Sequence, residues 1–410
     1  MSFEPINQIN ISLDFGQADP VVVGRLALRD GRIYFEYDGD FIRSGLEISP
    51  LRCPLQPGVQ TFDRHLFEGL PGVFNDSLPD GWGRLLLDRK ARLEGLTPAQ
   101  LSPLDRLAYV GHSGMGALVY KPDFGPGDAP EVLDLNRLAA DAKQVLDGEA
   151  SDVLQELLRL NGSSAGARPK AMIGVDAKMQ NIIHGTQPTP EAFEPWLVKF
   201  PNVTDGQDAG AIEYVYALMA VKAGLEMEPV HLFPGASSAG YFATRRFDRN
   251  GRARLHTHSV CGLLHSDFRT PSLDYEDLIA LTMILTKDIR EAEKMYRLAV
   301  FNVLAHNRDD HSKNFSFIMD EAGKWCLSPV YDLTFSSGPG GEQSTMVMGE
   351  GRNPRVEHLV KLGQEAKLPT MVIEDAIEKT KTALAAWAGL AKEYGVMRVN
   401  IDLVASKIQG

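Results

Sequence analysis

At 410 residues the chain has room for two or three domains of ordinary size. Hydrophobic residues make up 44% and charged residues 23%, the balance of a folded globular protein, so disordered, collagen-like and coiled-coil architectures are excluded. Lys and Arg number 42 against 54 Asp and Glu, and the resulting formal charge of −12 opposes unaided binding to a polyphosphate backbone. The first ten residues, MSFEPINQIN, lack the basic region and apolar run of an export signal. No apolar stretch approaches the roughly 20 residues that span a bilayer. Cys53, Cys261 and Cys326 are odd in number and show no C-x-x-C spacing, which fits a reducing cytoplasm.

In chain order, residues 21–28 and 32–37 are apolar-rich and flank Asp30-Gly31, so they predict a hairpin that opens an antiparallel sheet. A turn-rich stretch over 74–83 leads into helical periodicity over 85–93. A small β-rich domain is expected to cover 1–122, with a Gly-, Pro- and Asp-containing linker over 123–129. Helices are expected over 133–146 and 151–160. The small, flexible segment 161–170 then runs into a strand over 171–175, followed by a second strand over 194–200 that carries Lys199 near its end. Ile212, Val215, Tyr216, Met219 and Ala223 recur at helical spacing, and 241–247 reads as another strand. These elements set a central nucleotide-binding part at 130–250. From Tyr275 onward the pattern is mainly helical, which sets a C-terminal lobe at 251–410. The fold class expected is α+β: a small N-terminal β-rich domain, then a protein-kinase-like core with a mostly helical C-terminal lobe.

A helix over 288–305 ends before the polar run His306-Asn307-Arg308-Asp309-Asp310-His311-Ser312-Lys313-Asn314. Strands over 315–319 and 325–327 would form one hairpin and return Asp332 close to Asn314. Phosphoryl transfer requires such a set, because the protein supplies positioning and charge neutralisation rather than covalent chemistry. An Asp accepts the proton of the acceptor hydroxyl, and an Asn five residues later and a separate Asp hold magnesium. Asp309, Asn314 and Asp332 fit those places, Lys199 fits the contact to ATP phosphates, and Glu213 on the next helix fits the group that orients Lys199. The D-x-x-x-x-N spacing is weak alone. Its serial order after a Gly-rich loop, a Lys-bearing strand and a helix makes it specific.

Four motifs in this order resemble the HipA-like serine/threonine kinases, toxins of bacterial type II toxin-antitoxin systems: Gly162-Ser163-Ser164-Ala165-Gly166-Ala167-Arg168-Pro169-Lys170, Arg246-Phe247-Asp248-Arg249, Arg308 to Asn314, and Tyr331-Asp332-Leu333. Leu78-Pro79-Asp80-Gly81-Trp82-Gly83 and Gly114-Met115-Gly116-Ala117-Leu118 are similar to that family's N-terminal domain. The resemblance implies ATP and Mg2+ as cofactors, with Asp309 as catalytic base and Asn314 and Asp332 as metal ligands. It implies ATP contacts from Lys199, Ser163, Ser164, Ala165 and Gly166, adenine contacts from the backbone of Arg245 and Phe247, and a place near the ribose for Asp248. Autophosphorylation is implied at Ser163, or at its neighbour Ser164. A phosphoserine there adds roughly −1.5 to −2 charges where ATP phosphates must sit, which would expel nucleotide or loop. The resemblance also implies a small DNA-binding, HipB-like antitoxin, joint repression of the operon with DNA reached only through that partner, and a protein substrate such as an aminoacyl-tRNA synthetase.

Two other readings compete: a small-molecule kinase on a related fold, and a non-catalytic corepressor that keeps the fold only to hold an antitoxin. His256, His258, Cys261 and His265 could suggest zinc, but they lack two tight ligand pairs and are expected to be packed or superficial. Gly111 to Gly116 is followed by a strand rather than a helix and reads as a turn. His311 reads equally as a positioning donor, and 346–348 as part of an acceptor-binding segment or an ordinary surface loop.

Overall fold

In the first sheet, buried and exposed side chains alternate along Gln8–Leu13 (β1) and Arg32–Tyr37 (β3), and Val21–Arg29 (β2), whose register with β1 shifts between Ile11 and Ser12, adds Val23 and Leu26 to the core that Ile9, Ile11, Leu13 and Phe35 enter. Asp30 and Gly31 both take positive φ, 50° and 69°, as the expected two-residue hairpin requires. Val59–Thr61 (β4) and Leu118–Lys121 (β5) complete a five-stranded sheet in the order β4-β3-β2-β1-β5. The computed structural model describes residues 4–16, 19–125, 132–148, 153–161, 166–185, 190–202 and 205–408.

The second sheet has the order β7-β6-β8-β10-β9, built from Lys170–Asp176 (β6), Ile182–His184 (β7), Phe193–Lys199 (β8), Val230–Phe233 (β9) and Tyr241–Arg245 (β10). β6 is buried over nearly its whole length. Leu154, Leu157 and Leu160 of helix Leu154–Asn161 join Ala171, Ile173 and Val175 in one apolar cluster, with Leu138, Ala142 and Val145 of helix Leu135–Asp147. The antiparallel register sets Lys170 directly opposite Lys199. Helix Ala209–Lys222 follows β8 and carries Glu213 on its first turns.

Beyond residue 255 a three-stranded sheet, His256–Ser259, Ser316–Met319 and Trp325–Leu327, includes the expected hairpin, with Phe317 opposite Leu327. The long helix Ile289–Leu304 is capped by Asp288, which accepts from the Arg290 N–H, and it ends where the polar run begins. Helices Tyr275–Thr286, Val356–Glu365 and Thr370–Leu384 surround it. One continuous core runs from Ile9 and Phe35 of the first sheet to Tyr216, Phe301 and Trp387. The N-terminal sheet is therefore seated on the rest of the chain through shared apolar burial.

A charged cluster reinforces that seat. Asp248 is fully buried, and its carboxylate accepts from Arg246 (Nη2, 2.8 Å), Arg249 (Nη1, 2.6 Å) and the Gly116 N–H (2.7 Å). Arg249 and a third guanidinium, Arg254, close onto the N-terminal loop: Arg249 Nη2 donates to the Gly114 carbonyl at 2.9 Å, and Arg254 Nε and Nη2 donate to the Gly116 carbonyl at 3.0 and 2.9 Å. Burial alone would raise the Asp248 carboxyl, but Arg246 and Arg249 hold it far below the usual carboxylate range. Asp248→Asn leaves buried guanidinium charge uncompensated, and chemical denaturation should show a loss of about 3–5 kcal/mol. Unchanged stability would show that the N-terminal sheet is held without this carboxylate.

Candidate active site

Lys199, at the end of β8, has its Nζ 2.5 Å from Glu213 Oε1 and 2.5 Å from Asp332 Oδ1. Glu213 is 1% exposed, so its second oxygen must also be satisfied; Arg168 Nη1 donates to it at 3.0 Å. Arg168 Nε in turn lies 2.9 Å from Asp205 Oδ2. A chain of alternating charges thus joins the segment after the Gly-rich loop, the β8 strand, the helix after it and the Tyr331-Asp332-Leu333 segment. Burial weakens the Lys199 ammonium, but Asp332 and Glu213 outweigh it and raise the pKa above the ordinary lysine value. Lys199, Lys170 and Arg168 overcome the burial of Asp332 and hold its carboxyl far below the usual carboxylate range. Both groups remain charged at neutral pH.

Asp332 takes a left-handed backbone, φ 57°, which an Asp tolerates better than most residues. Its segment is tied to the polar run: Tyr331 Oη donates to the Lys313 carbonyl at 2.7 Å and pairs with Ser316 Oγ at 2.7 Å, and the Ser328 N–H donates to the Ser316 carbonyl at 2.9 Å. Asn314 Nδ2 donates to the Asp309 carbonyl at 2.7 Å, closing the five-residue loop on itself. The Asp309 side chain is 58% exposed, with His311 Nε2 3.9 Å from its Oδ1. Partial loss of water raises its carboxyl, His311 lowers it and the like charge of Asp332 raises it, for a net rise. The result is an accessible carboxylate of increased basicity beside a loop of fixed shape.

Next to Asp309, Asp310 is fully buried and accepts from Tyr275 Oη (2.7 Å), Gln343 Nε2 (2.9 Å) and the N–H groups of Ser344 (2.9 Å) and Thr345 (3.2 Å). Desolvation pushes it up to about 6 despite those donors. These bonds fasten residues 343–345 to the Asp309–Asn314 loop. Residues 346–348 are fastened too: Thr345–Met346 pairs in parallel with Leu273–Asp274, and Asp274 accepts from the Met348 and Gly349 N–H groups. These ties join the segment to the start of helix Tyr275–Thr286.

The hinge expectations divide. Phe247 stacks on Tyr331, the residue before Asp332, with centroids 5.5 Å apart. The Arg245 N–H donates to the Pro229 carbonyl, and its side chain pairs with Glu228 at 2.7 Å. The place expected for Asp248, near a ribose, is corrected by the structure: its carboxylate is fully buried and engaged by Arg246, Arg249 and Gly116. Ser163, Ser164 and Ala165 lie outside the described residues. Gly166, with φ 109°, has its N–H on Asp80 Oδ1 at 2.5 Å. Among the described residues no three His, Cys, Asp or Glu side chains are grouped as a metal site. The residues weighed for zinc are hydrogen-bonded elsewhere: His258 to Asp76 (2.6 Å) and Ser49 (3.0 Å), His256 to the Ile48 carbonyl (2.9 Å), His265 to the Gly72 N–H (3.0 Å), and the Cys261 thiol to the Ser266 carbonyl (3.0 Å).

Arg168, Lys170, Asp80 and Lys313 are site residues that sequence reasoning gave no role. The signal for Lys170 was present in its place between a Gly-rich loop and a strand, but its pairing with Lys199 depends on the sheet register. A Cβ on Gly166 would fall 2.5 Å from Lys170 Nζ, so this second ammonium lies directly beside Gly166.

Fold and site together define an α+β chain, with a β-rich N-terminal part joined to a protein-kinase-like core that brings a lysine and two carboxylates into direct contact near an exposed Asp. The chain belongs to the HipA family: residues 18–121 match the HipA N-terminal domain and residues 162–387 the HipA-like C-terminal domain. It is 28% identical over 336 residues to "Putative kinase Y4mE" of Sinorhizobium fredii, an overlap of 77% of this chain and 75% of that protein. Its fold matches HipA of Shewanella oneidensis MR-1, solved with HipB and operator DNA, with a TM-score of 0.68 at 16% identity over 97% of this chain and 94% of that one. Among the described residues no helix is long and apolar enough to cross a membrane.

Burial, and then the neighbouring Lys199, lowers Lys170 from 10.5 to about 8. Between those two values the unfolded chain keeps a proton that the folded chain has released, so stability gains a contribution that grows as pH rises through this window. Urea unfolding of wild type and Lys170→Met across the window should show that rise in the wild type and its loss in the variant.

Proposed function

We propose that this chain is an ATP- and Mg2+-dependent serine/threonine protein kinase, the toxin of a toxin-antitoxin pair. The observation that carries the reading is Lys199 held between Glu213 and Asp332 beside the Asp309–Asn314 loop. A lysine fixed by a buried Glu is placed for a phosphate group, and its bond to Asp332 is one that bound nucleotide and metal would share. Magnesium takes hard oxygen ligands and retains several waters. Asp332, held ionised, and the amide oxygen of Asn314, whose NH2 is already directed to the Asp309 carbonyl, fit that requirement. Bound Mg2+ would neutralise phosphate charge. Asp309, exposed and of raised basicity, would take the proton of the acceptor hydroxyl. Adenine would lie along 245–247, beside Phe247.

Similarity to "Putative kinase Y4mE" supports the activity. Likeness to a HipA solved with HipB and operator DNA supports a HipB-like antitoxin, while corepression through that partner and a cytoplasmic location follow from the family resemblance. The net charge of −12 agrees with DNA contact through the partner. The substrate reading, a protein such as an aminoacyl-tRNA synthetase, and autophosphorylation of Ser163 or Ser164 follow from the family resemblance.

Transfer from labelled ATP in a bacterial lysate should fall by about a hundredfold or more in Asp309→Ala, with nucleotide binding retained. Near-normal turnover in that variant would remove Asp309 from the base role. Asp332→Asn should lose the magnesium-dependent part of nucleotide binding, and an unchanged magnesium titration would place the ion elsewhere. After incubation with ATP, mass spectrometry should find phosphate on Ser163 or Ser164. An active enzyme with an unmodified loop would reject autoregulation at that position.

A further inference from the structure

Asp80 immediately precedes helix Gly81–Leu93, where an Asp ordinarily accepts from its own helix's first N–H groups. It makes no such cap bond. Its Oδ1 accepts from the Gly166 N–H at 2.5 Å, across 86 residues of sequence, and its Oδ2 is ion-paired with Lys313 Nζ, across 233. The pairing is reciprocal at Gly166, whose carbonyl accepts from the Trp82 N–H at 3.0 Å. Gly81 permits this approach: its φ is +44°, and a Cβ there would sit 2.4 Å from the Gly166 carbonyl oxygen. Lys313, next to Asn314, is placed on its other side by the Phe268 ring, with Nζ 4.7 Å from the centroid. The two side chains are only 21% and 12% exposed, so the pair is shielded from bulk water.

We propose that Asp80 is a positioning residue of the phosphoryl-transfer site, through which the N-terminal part of the chain fixes both the end of the Gly-rich loop and the ammonium of Lys313. Three groups face the Asp80 carboxylate: Lys313, the Gly166 N–H and, nearby, Lys170. They outweigh its burial and keep it ionised, so the tie persists at neutral pH. By this arrangement a nucleotide meets Gly166 already held by two backbone ties and a cation already placed, and that positioning need not be supplied on binding. The inference deepens the kinase reading and rests on it. It predicts that disturbing the N-terminal part alters nucleotide handling without any change in Lys199, Asp309, Asn314 or Asp332.

The test uses the full chain as wild type, Asp80→Asn and Asp80→Ala, with binding of a fluorescent ATP analogue plus magnesium and steady-state transfer measured side by side. Asp80→Asn keeps an oxygen for Gly166 and loses only the charge on Lys313, so kcat should fall while KM for ATP stays near wild type. Asp80→Ala loses both ties, so KM for ATP should rise as well, with kcat/KM down by on the order of tenfold to a hundredfold. Lys313→Gln should cost less in the Asp80→Ala background than in wild type, because the two residues act as one unit. Wild-type kcat and KM in both variants, or losses that only follow a lowered melting temperature, would overturn the role of Asp80. A wild type that neither binds the analogue nor transfers phosphate would instead sink the kinase reading, and this inference with it.

Discussion

Four charges of alternating sign, Arg168, Glu213, Lys199 and Asp332, hold the central segments together. Each comes from a different segment, and Glu213 and Lys199 have little access to water. A shielded charge without its partner is costly, by about 3–5 kcal/mol when a buried pair is broken. No one of these segments can move far without stranding the others. This constraint keeps the lysine where phosphate would arrive, and it makes the arrangement of β8, the following helix and the Asp332 segment a single decision.

The N-terminal part is bound into that decision by two kinds of interaction. Apolar burial joins its sheet to the helices of the C-terminal lobe in one core. Polar ties then set its orientation, because hydrogen bonds are directional where hydrophobic contact is not. Arg249 and Arg254 close on the carbonyls of Gly114 and Gly116, and Asp80 reaches Gly166 and Lys313. The N-terminal part thus reaches Gly166 and Lys313 from outside the kinase-like core.

Much of the local structure was legible. The Asp30-Gly31 hairpin, the strands that carry Lys170 and Lys199, the helix ending at Leu304 and the hairpin leading to Asp332 all follow from period and turn chemistry. The pairing of Lys199 with Glu213 and the closeness of Asp332 were expected from a fixed serial order, and the structure brings these three together. Asp248 misled for a physical reason: a motif gives neighbours in sequence, whereas burial is decided by what packs on top, here the Gly114–Gly116 loop. Asp310 reads as one more polar loop residue, yet it is fully buried by a segment more than thirty residues further along.

From sequence alone came the strands and helices, the likeness to a kinase family and the identity of the chemical groups, because these depend on period, turn residues and short spacings that neighbouring positions share. Tertiary structure alone decided the partners: Lys170 across from Lys199, Asp80 against Gly166 and Lys313, and Asp248 inside a cage of guanidiniums. Such pairings arise from sheet register and from the packing of surfaces far apart in the chain, and charge energies depend on distance and burial, neither of which is written in the order of residues.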